Sequence, residues 1–140
     1  MIVLDTSYLS LFQFPDAPAT SSLFERLVAL PDHEIVTTAI SVEEQMRGWL
    51  SAIHGQSEVS RQVPFYDRLV GLFRFFADWR ILPFDDAGAS RFKMLREQRI
   101  RIATMDLKIA SIVLVHGATL LSSNLRDFEK VPGLQVEDWL

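Results

Sequence analysis

The chain has 140 residues, 49% of them apolar and 23% charged, with a net charge of −4 and no cysteine. That length and balance suit one folded domain, residues 1–140, with an ordinary core, and exclude a disordered chain. Disulfides and thiolate metal sites are ruled out, no run of about 18 apolar residues reads as a membrane span, and the acidic balance argues against an extended nucleic-acid-binding surface. The opening lacks the basic and apolar pattern of a secretory signal, so the expected setting is the cytoplasm.

In chain order, Ile2–Leu4 reads as a first strand, and Asp5, Thr6 and Ser7 follow it. All three are helix-capping residue types. A helix is expected from Thr20 or Ser21 through "SSLFERLVAL", with Leu23, Leu27 and Leu30 on one face. "HEIVTT" reads as a second strand. Ser41 then opens a helix whose apolar stripe is Val42, Met46, Trp49, Leu50 and Ile53. "HGQSEVSRQ" is a polar break, residues 64–79 an aromatic-rich helix and "ILPF" a third strand. Asp85 or Asp86 caps the next helix, and Thr104 caps "MDLKIASIVLVH", which Gly117 ends. "ATLLSS" and "LQVEDWL" complete the strands. Strands separated by helices imply an α/β fold with a parallel sheet covered on both faces.

The acids recur at strand ends. Asp5 follows the first strand, Glu43 and Glu44 open the helix after the second, and Asn124 and Asp127 follow the fourth. Asp106 lies in the first turn of the helix leading into that fourth strand. In a doubly wound sheet these ends share the rim where ligands bind. Two carboxylates about 4 Å apart repel by roughly 4 kcal/mol at an effective dielectric near 20. Keeping three together requires a compensating charge, and an all-oxygen site suits a hard cation such as Mg²⁺ or Mn²⁺.

Each acid also has a structural alternative. Asp5 can be a helix cap, and Ser41-Val42-Glu43-Glu44 has the form of a capping box, S-x-x-E. Asp106 can complement the helix dipole. Asp85 and Asp86 read as caps, with an adjacent acid pair as the competing idea. His33, His54 and His116 stand isolated. The Arg and Lys residues between Arg91 and Lys108 read most simply as a solvated helix face.

Several stretches together resemble the PIN domain, and within it the VapC-type toxin ribonucleases of prokaryotic toxin–antitoxin pairs. "IVLDTSYL" resembles the family's strand-Asp-Thr-Ser opening. "ISVEEQMRG" resembles its I-T-x-x-E-L-x-x-G element, with Ser41 three before Glu44 and Gly48 four after it. "ILPFDDAGASRF" and "IATMDLKIASIVLVHGATLLSSNLRDFEKVPGLQVEDW" resemble the remainder, the last being the most specific. Gln45 departs from the family's usual Leu, and Asn124 stands where many relatives carry a fourth acid.

The resemblance implies a three-layer α/β/α sandwich with a short parallel sheet, and an endoribonuclease that uses Mg²⁺ or Mn²⁺ to hydrolyse RNA. Asp5, Glu44 and Asp106 would form the catalytic and metal-binding site. Thr6, Asn124 and Asp127 would be auxiliary groups, and Thr6 or Ser7 would cap the helix or hold the carboxylate. It also implies a cognate antitoxin and a homodimer. The aromatic-rich helix carries more apolar residues than one buried stripe needs, so part of it is expected to form a groove for an amphipathic antitoxin segment or a subunit interface. RNA contacts are expected from among Arg47, Arg91, Lys93, Arg96, Arg99, Arg101 and Lys108. The alternative is a catalytically silent PIN fold serving as a binding module. A receiver domain or a haloacid-dehalogenase phosphatase fits poorly, because Asp5 lacks the second acid that either would place beside it.

Overall fold

The computed structural model describes residues 1–13, 18–30 and 34–140, so His33 lies outside the described residues. The elements are β1 (Ile2–Leu4), α1 (Thr6–Gln13), α2 (Pro18–Val28), β2 (Ile35–Thr38), α3 (Ala39–His54), α4 (Val59–Phe76) and β3 (Ile81–Leu82). Then come α5 (Asp86–Glu97), α6 (Thr104–His116), β4 (Thr119–Leu121), α7 (Leu125–Phe128) and β5 (Gln135–Glu137). The strands pair in parallel in the order β3-β2-β1-β4-β5. The order reverses at β1, so the β1/β4 junction is the switch point at whose carboxyl end ligands bind in such sheets.

Alternation along the strands makes the sheet two-sided. Val3 and Leu120 bury into one core with Leu107, Ile109, Ile112 and Val113 of α6 and Leu95 of α5. Ile2, Leu4 and Leu121 bury on the opposite face with Tyr8 and Leu9 of α1, Leu23 and Leu27 of α2, and Leu72 and Phe76 of α4. The result is the expected three-layer α/β/α sandwich. The α6 helix is apolar nearly all round, as a helix packed deep in a core must be. Gly117 closes it at φ 59°, a left-handed position that glycine takes without strain.

The local start signals differ from the expectation in five places, one being α2, which begins at Pro18 rather than at Thr20 or Ser21. Asp5, not Thr6 or Ser7, caps α1: its Oδ1 accepts from Tyr8 N at 3.1 Å and from Ser7 Oγ at 2.7 Å. Thr38, not Ser41, caps α3, accepting from Ser41 N at 3.2 Å. The Ser41–Glu44 capping box therefore does not exist, and Glu44 lies a turn inside the helix. Thr104 is the first helical residue of α6; Ala103 holds the cap position and makes no side-chain capping hydrogen bond. Finally, α4 begins at Val59 rather than Pro64, which lies inside the helix. Gln62 explains how the polar break shortens, since its Nε2 donates to the carbonyls of Ile53 and Gln56 and ties off the end of α3. Asp85 does cap α5, accepting from Gly88 N at 3.0 Å.

Candidate active site

Asp5 ends β1 with its own amide bonded to the Leu121 carbonyl of β4 at 3.2 Å, so the sheet fixes its backbone. Its side chain is 8% exposed. Oδ1 carries the two capping contacts just described, while Oδ2 accepts from the Ser122 hydroxyl at the end of β4. Ser122 is itself fully buried and accepts from Asn124 N at 3.0 Å. Whether Asp5 is a cap or a site carboxylate is thus a false choice. The bonds that cap α1 also hold the carboxylate rigid at the rim.

Glu44 reaches that rim from α3, where Thr6 Oγ1 donates to its Oε1 at 3.2 Å. Asp106 reaches it from the first turn of α6. Asn124 Nδ2 donates to Asp106 Oδ2 and to Asp127 Oδ2, each at 3.2 Å. Both partners are carboxylate acceptors, so the amide must present its nitrogen here. Lys130 Nζ lies 3.3 Å from Asp127 Oδ1. Asp127 is therefore the acid of the group that has a cation, and Asn124 couples it to Asp106.

The electrostatics separate these acids. Burial pushes the Glu44 carboxyl above its usual range, the Thr6 hydrogen bond opposes this, and the charges of Asp106 and Asp5 push it further up. Burial likewise raises Asp106, reinforced by Asp127 and Asp5 and opposed by Asn124. Asp127 is lowered, first by the Asn124 hydrogen bond and then by Lys130. Among the described residues, none of Asp5, Glu44 and Asp106 is in an ion pair. The three acids therefore feel one another without a neutralising side chain among the described residues.

As the side chains lie, no three acids or histidines among the described residues form a ready-made cage for an ion. The donors are nonetheless all oxygen, from three separate elements and partly open to solvent. That chemistry fits Mg²⁺ or Mn²⁺, which are held by one or two carboxylates with water completing the shell.

Raised carboxyl values fix the sign of a pH effect. The folded chain binds the Glu44 and Asp106 protons more tightly than the unfolded chain does. Their contribution to stability is complete below the unfolded carboxyl range and is lost as pH rises through the folded values. Asp106→Asn removes one share of that loss. In thermal melts with chelator, the mutant's advantage over wild type should widen as pH rises from the ordinary carboxyl range through the raised folded value of Asp106. A gap independent of pH would mean that Asp106 is not held among like charges.

The surrounding basic residues do not all serve one strip. Arg47 pairs with Glu43 at 2.6 Å. Arg96 donates to the carbonyls of Ile100 and Ile102 and to Thr104 Oγ1, and its guanidinium lies 5.2 Å from the Phe92 ring centre. It braces the α5–α6 loop. Arg91 lines a hollow with Val115, a residue nine positions along α6 from Asp106, which is about 14 Å of helix at 1.5 Å per residue. Lys108 sits 5.6 Å from the Phe84 ring centre. Arg99 and Arg101 are exposed on the loop that enters α6 just before Asp106. Asp85 and Asp86 form no second acid site with these groups, as Asp85 is used as a cap. Sequence reasoning overlooks Ser122; its only signal is a hydroxyl residue directly after a strand at the switch point.

Comparison with known proteins bears on the fold and the family. The PIN domain family model matches residues 2–134. Ribonuclease VapC1 of Rickettsia felis is 45% identical over 42 residues, 30% of this chain and 31% of that protein. The tRNA(fMet)-specific endonuclease VapC of Salmonella typhimurium is 30% identical over 69 residues, 46% of this chain and 52% of that one. The chain thus spans about half or less of the length of the curated relatives it matches. VapBC-1 from nontypeable Haemophilus influenzae shares the fold, with a TM-score of 0.70 and 22% identity over 99% of this chain and 98% of that one. With the family model running through every strand but β5 and through all three converging acids, the chain belongs to the PIN domain family.

Proposed function

We propose that this chain is a metal-dependent endoribonuclease and the toxin of a toxin–antitoxin pair. The observation that carries the proposal is the convergence of Asp5, Glu44 and Asp106 at the switch point, where none of the three has an ion-pair partner among the described residues. Likeness to VapC ribonucleases supports RNA as the substrate.

Asp5 and Asp106 would hold a Mg²⁺ or Mn²⁺ ion, with Glu44 binding directly or through water. When bound, such an ion acidifies water and stabilises charge on a phosphodiester. The chain's own groups supply the positioning. Ser122, Ser7 and the Tyr8 amide fix Asp5, Thr6 steadies Glu44, and Asn124 steadies Asp106 while Lys130 neutralises Asp127. A water oxygen attacks phosphorus as the bond to the 3′ oxygen breaks, leaving 5′-phosphate and 3′-hydroxyl ends. Incubating the chain with single-stranded RNA in Mn²⁺ and in chelator tests this. Cutting in Mn²⁺ alone is expected; binding without cutting in either condition would favour the silent module.

We assign RNA binding to Arg99 and Arg101, exposed on the loop that enters α6 just before Asp106; Lys93 of α5 is also exposed. Reversing either to Glu should weaken RNA binding severalfold and shallow its salt dependence by about 0.7 in log–log slope for each phosphate no longer neutralised. Arg91→Glu should change neither. Equal slopes in all three variants would misplace the basic surface.

The partner surface is more specific than the sequence suggests. On α4, Leu72 and Phe76 are buried, while Val59, Val63, Tyr66, Val70 and Phe73 are exposed. The exposed residues are spaced four, three, four, three, an a/d seam of the kind that packs against another helix. We assign it to an amphipathic helical segment of the antitoxin, and the family resemblance adds a homodimer. Val70→Glu with Phe73→Glu should release the antitoxin in light scattering while RNA cutting persists. A complex that survives both changes would remove the seam from the partner surface.

A further inference from the structure

The segment Glu137–Trp139 reaches back to Asp5 by two routes. On the first, the Glu137 carbonyl accepts from Ser122 N at 3.1 Å, and the Ser122 hydroxyl donates to Asp5 Oδ2. On the second, Tyr8 Oη donates to Asp138 Oδ1 at 2.6 Å and accepts from Trp139 N at 2.6 Å. The amide of the same Tyr8 donates to Asp5 Oδ1 at 3.1 Å. The segment is held in turn. Leu140 N donates to Asp138 Oδ1 at 3.1 Å, Trp139 Nε1 donates to Glu137 Oε2 at 2.7 Å, and the Arg26 guanidinium lies 4.2 Å from the Trp139 ring centre.

Packing alone does not call for this arrangement. The Tyr8 side chain is fully buried, and a phenylalanine would fill nearly the same space. Burying the hydroxyl has a desolvation cost that its two hydrogen bonds must offset. Burial and the neighbouring Asp138 push the hydroxyl well above its usual range, so it remains a donor throughout the working pH range. Tyr8 occupies the first turn of α1, the turn whose cap is Asp5. Fixing the far end of this one side chain therefore fixes the backbone group that holds the acid.

We propose that Tyr8 and Asp138 are positioning residues, a clasp through which the segment after β5 sets the orientation of the Asp5 carboxylate. This rests on Asp5 being an ion-binding acid, as proposed above. Neither residue takes part in the hydrolysis itself.

The test compares Tyr8→Phe, Asp138→Ala and Asp138→Asn in the full chain. The readouts are hydrogen exchange of the residue-8 amide without metal, apparent Mn²⁺ affinity, and kcat and KM on RNA. Tyr8→Phe should accelerate exchange at that amide and weaken Mn²⁺ binding about tenfold, the low end of what losing a ligand's supporting partner commonly costs. The same variant should lower kcat similarly and leave KM unchanged. Asp138→Ala should reproduce this. Asp138→Asn keeps the acceptor oxygen and should restore all readouts. A Tyr8→Phe protein that melts lower but keeps its amide protection, Mn²⁺ affinity and kcat would overturn the proposal, reducing the clasp to a structural brace. Equal damage from Asp138→Asn and Asp138→Ala would also overturn it. If wild type neither binds Mn²⁺ nor cuts RNA, the ribonuclease reading fails instead, and amide exchange still decides whether the clasp controls Asp5.

Discussion

Asp106→Asn should abolish RNA cleavage, by roughly 100-fold or more, while the metal-free protein melts at the same or a higher temperature. The activity loss follows from its proposed role, since losing even a supporting partner of a metal ligand commonly costs about 10–100-fold. The stability gain follows from the electrostatics: Asp106 is half-buried, with its carboxyl raised by burial, Asp127 and Asp5. Asn keeps the shape and can still meet Asn124 through its amide oxygen. The opposing idea is that Asp106 complements the α6 dipole, a contribution of about 0.3–1 kcal/mol. That role predicts a lower melting temperature with cleavage retained. A cleavage assay beside melts in chelator separates the two.

Asp5→Ala should have the same effect on cleavage and the opposite effect on stability. This acid caps α1, and losing such a cap costs about 0.5–2 kcal/mol. Its removal also strands the buried Ser122 hydroxyl, at roughly 1–3 kcal/mol for a buried group left without a partner. Relief of repulsion from Glu44 and Asp106 offsets only part of this. The metal-free melt should fall by on the order of 5 °C or more, given about 2–4 °C per kcal/mol in a domain of this size. If Asp5→Ala melts like wild type, the capping network does not hold the acid as described.

The contrast between these two acids shows what the sequence can and cannot reveal. The alternation of strands and helices, the two-sided sheet and the rim acids are readable because periodicity and strand-end position are local signals. The caps are not. In "DTS" and in "TTAIS" several adjacent residues have capping chemistry, and only the backbone path decides which one accepts the amide. That path gives the cap of α3 to Thr38 and leaves Glu44 for the rim. Pro64 reads as a helix start because proline favours the first turn, yet Gln62 joins α3 to α4 closely enough that the helix begins before it. The Ser122–Asp5 and Tyr8–Asp138 contacts are invisible in the sequence because they link positions more than a hundred residues apart. RNA and an antitoxin enter through family resemblance, not through the spacing of the acids.

If Asp5, Glu44 and Asp106 form one cation site, a bound ion must stabilise the fold through all three acids. The deciding measurement is the melting of wild type and Asp106→Asn across a Mn²⁺ titration. Wild type should gain about 2.7 kcal/mol of apparent stability when Mn²⁺ reaches about 100 times its dissociation constant. Asp106→Asn should gain far less at the same concentration. Equal gains in the two proteins, or none in either, would contradict a shared site.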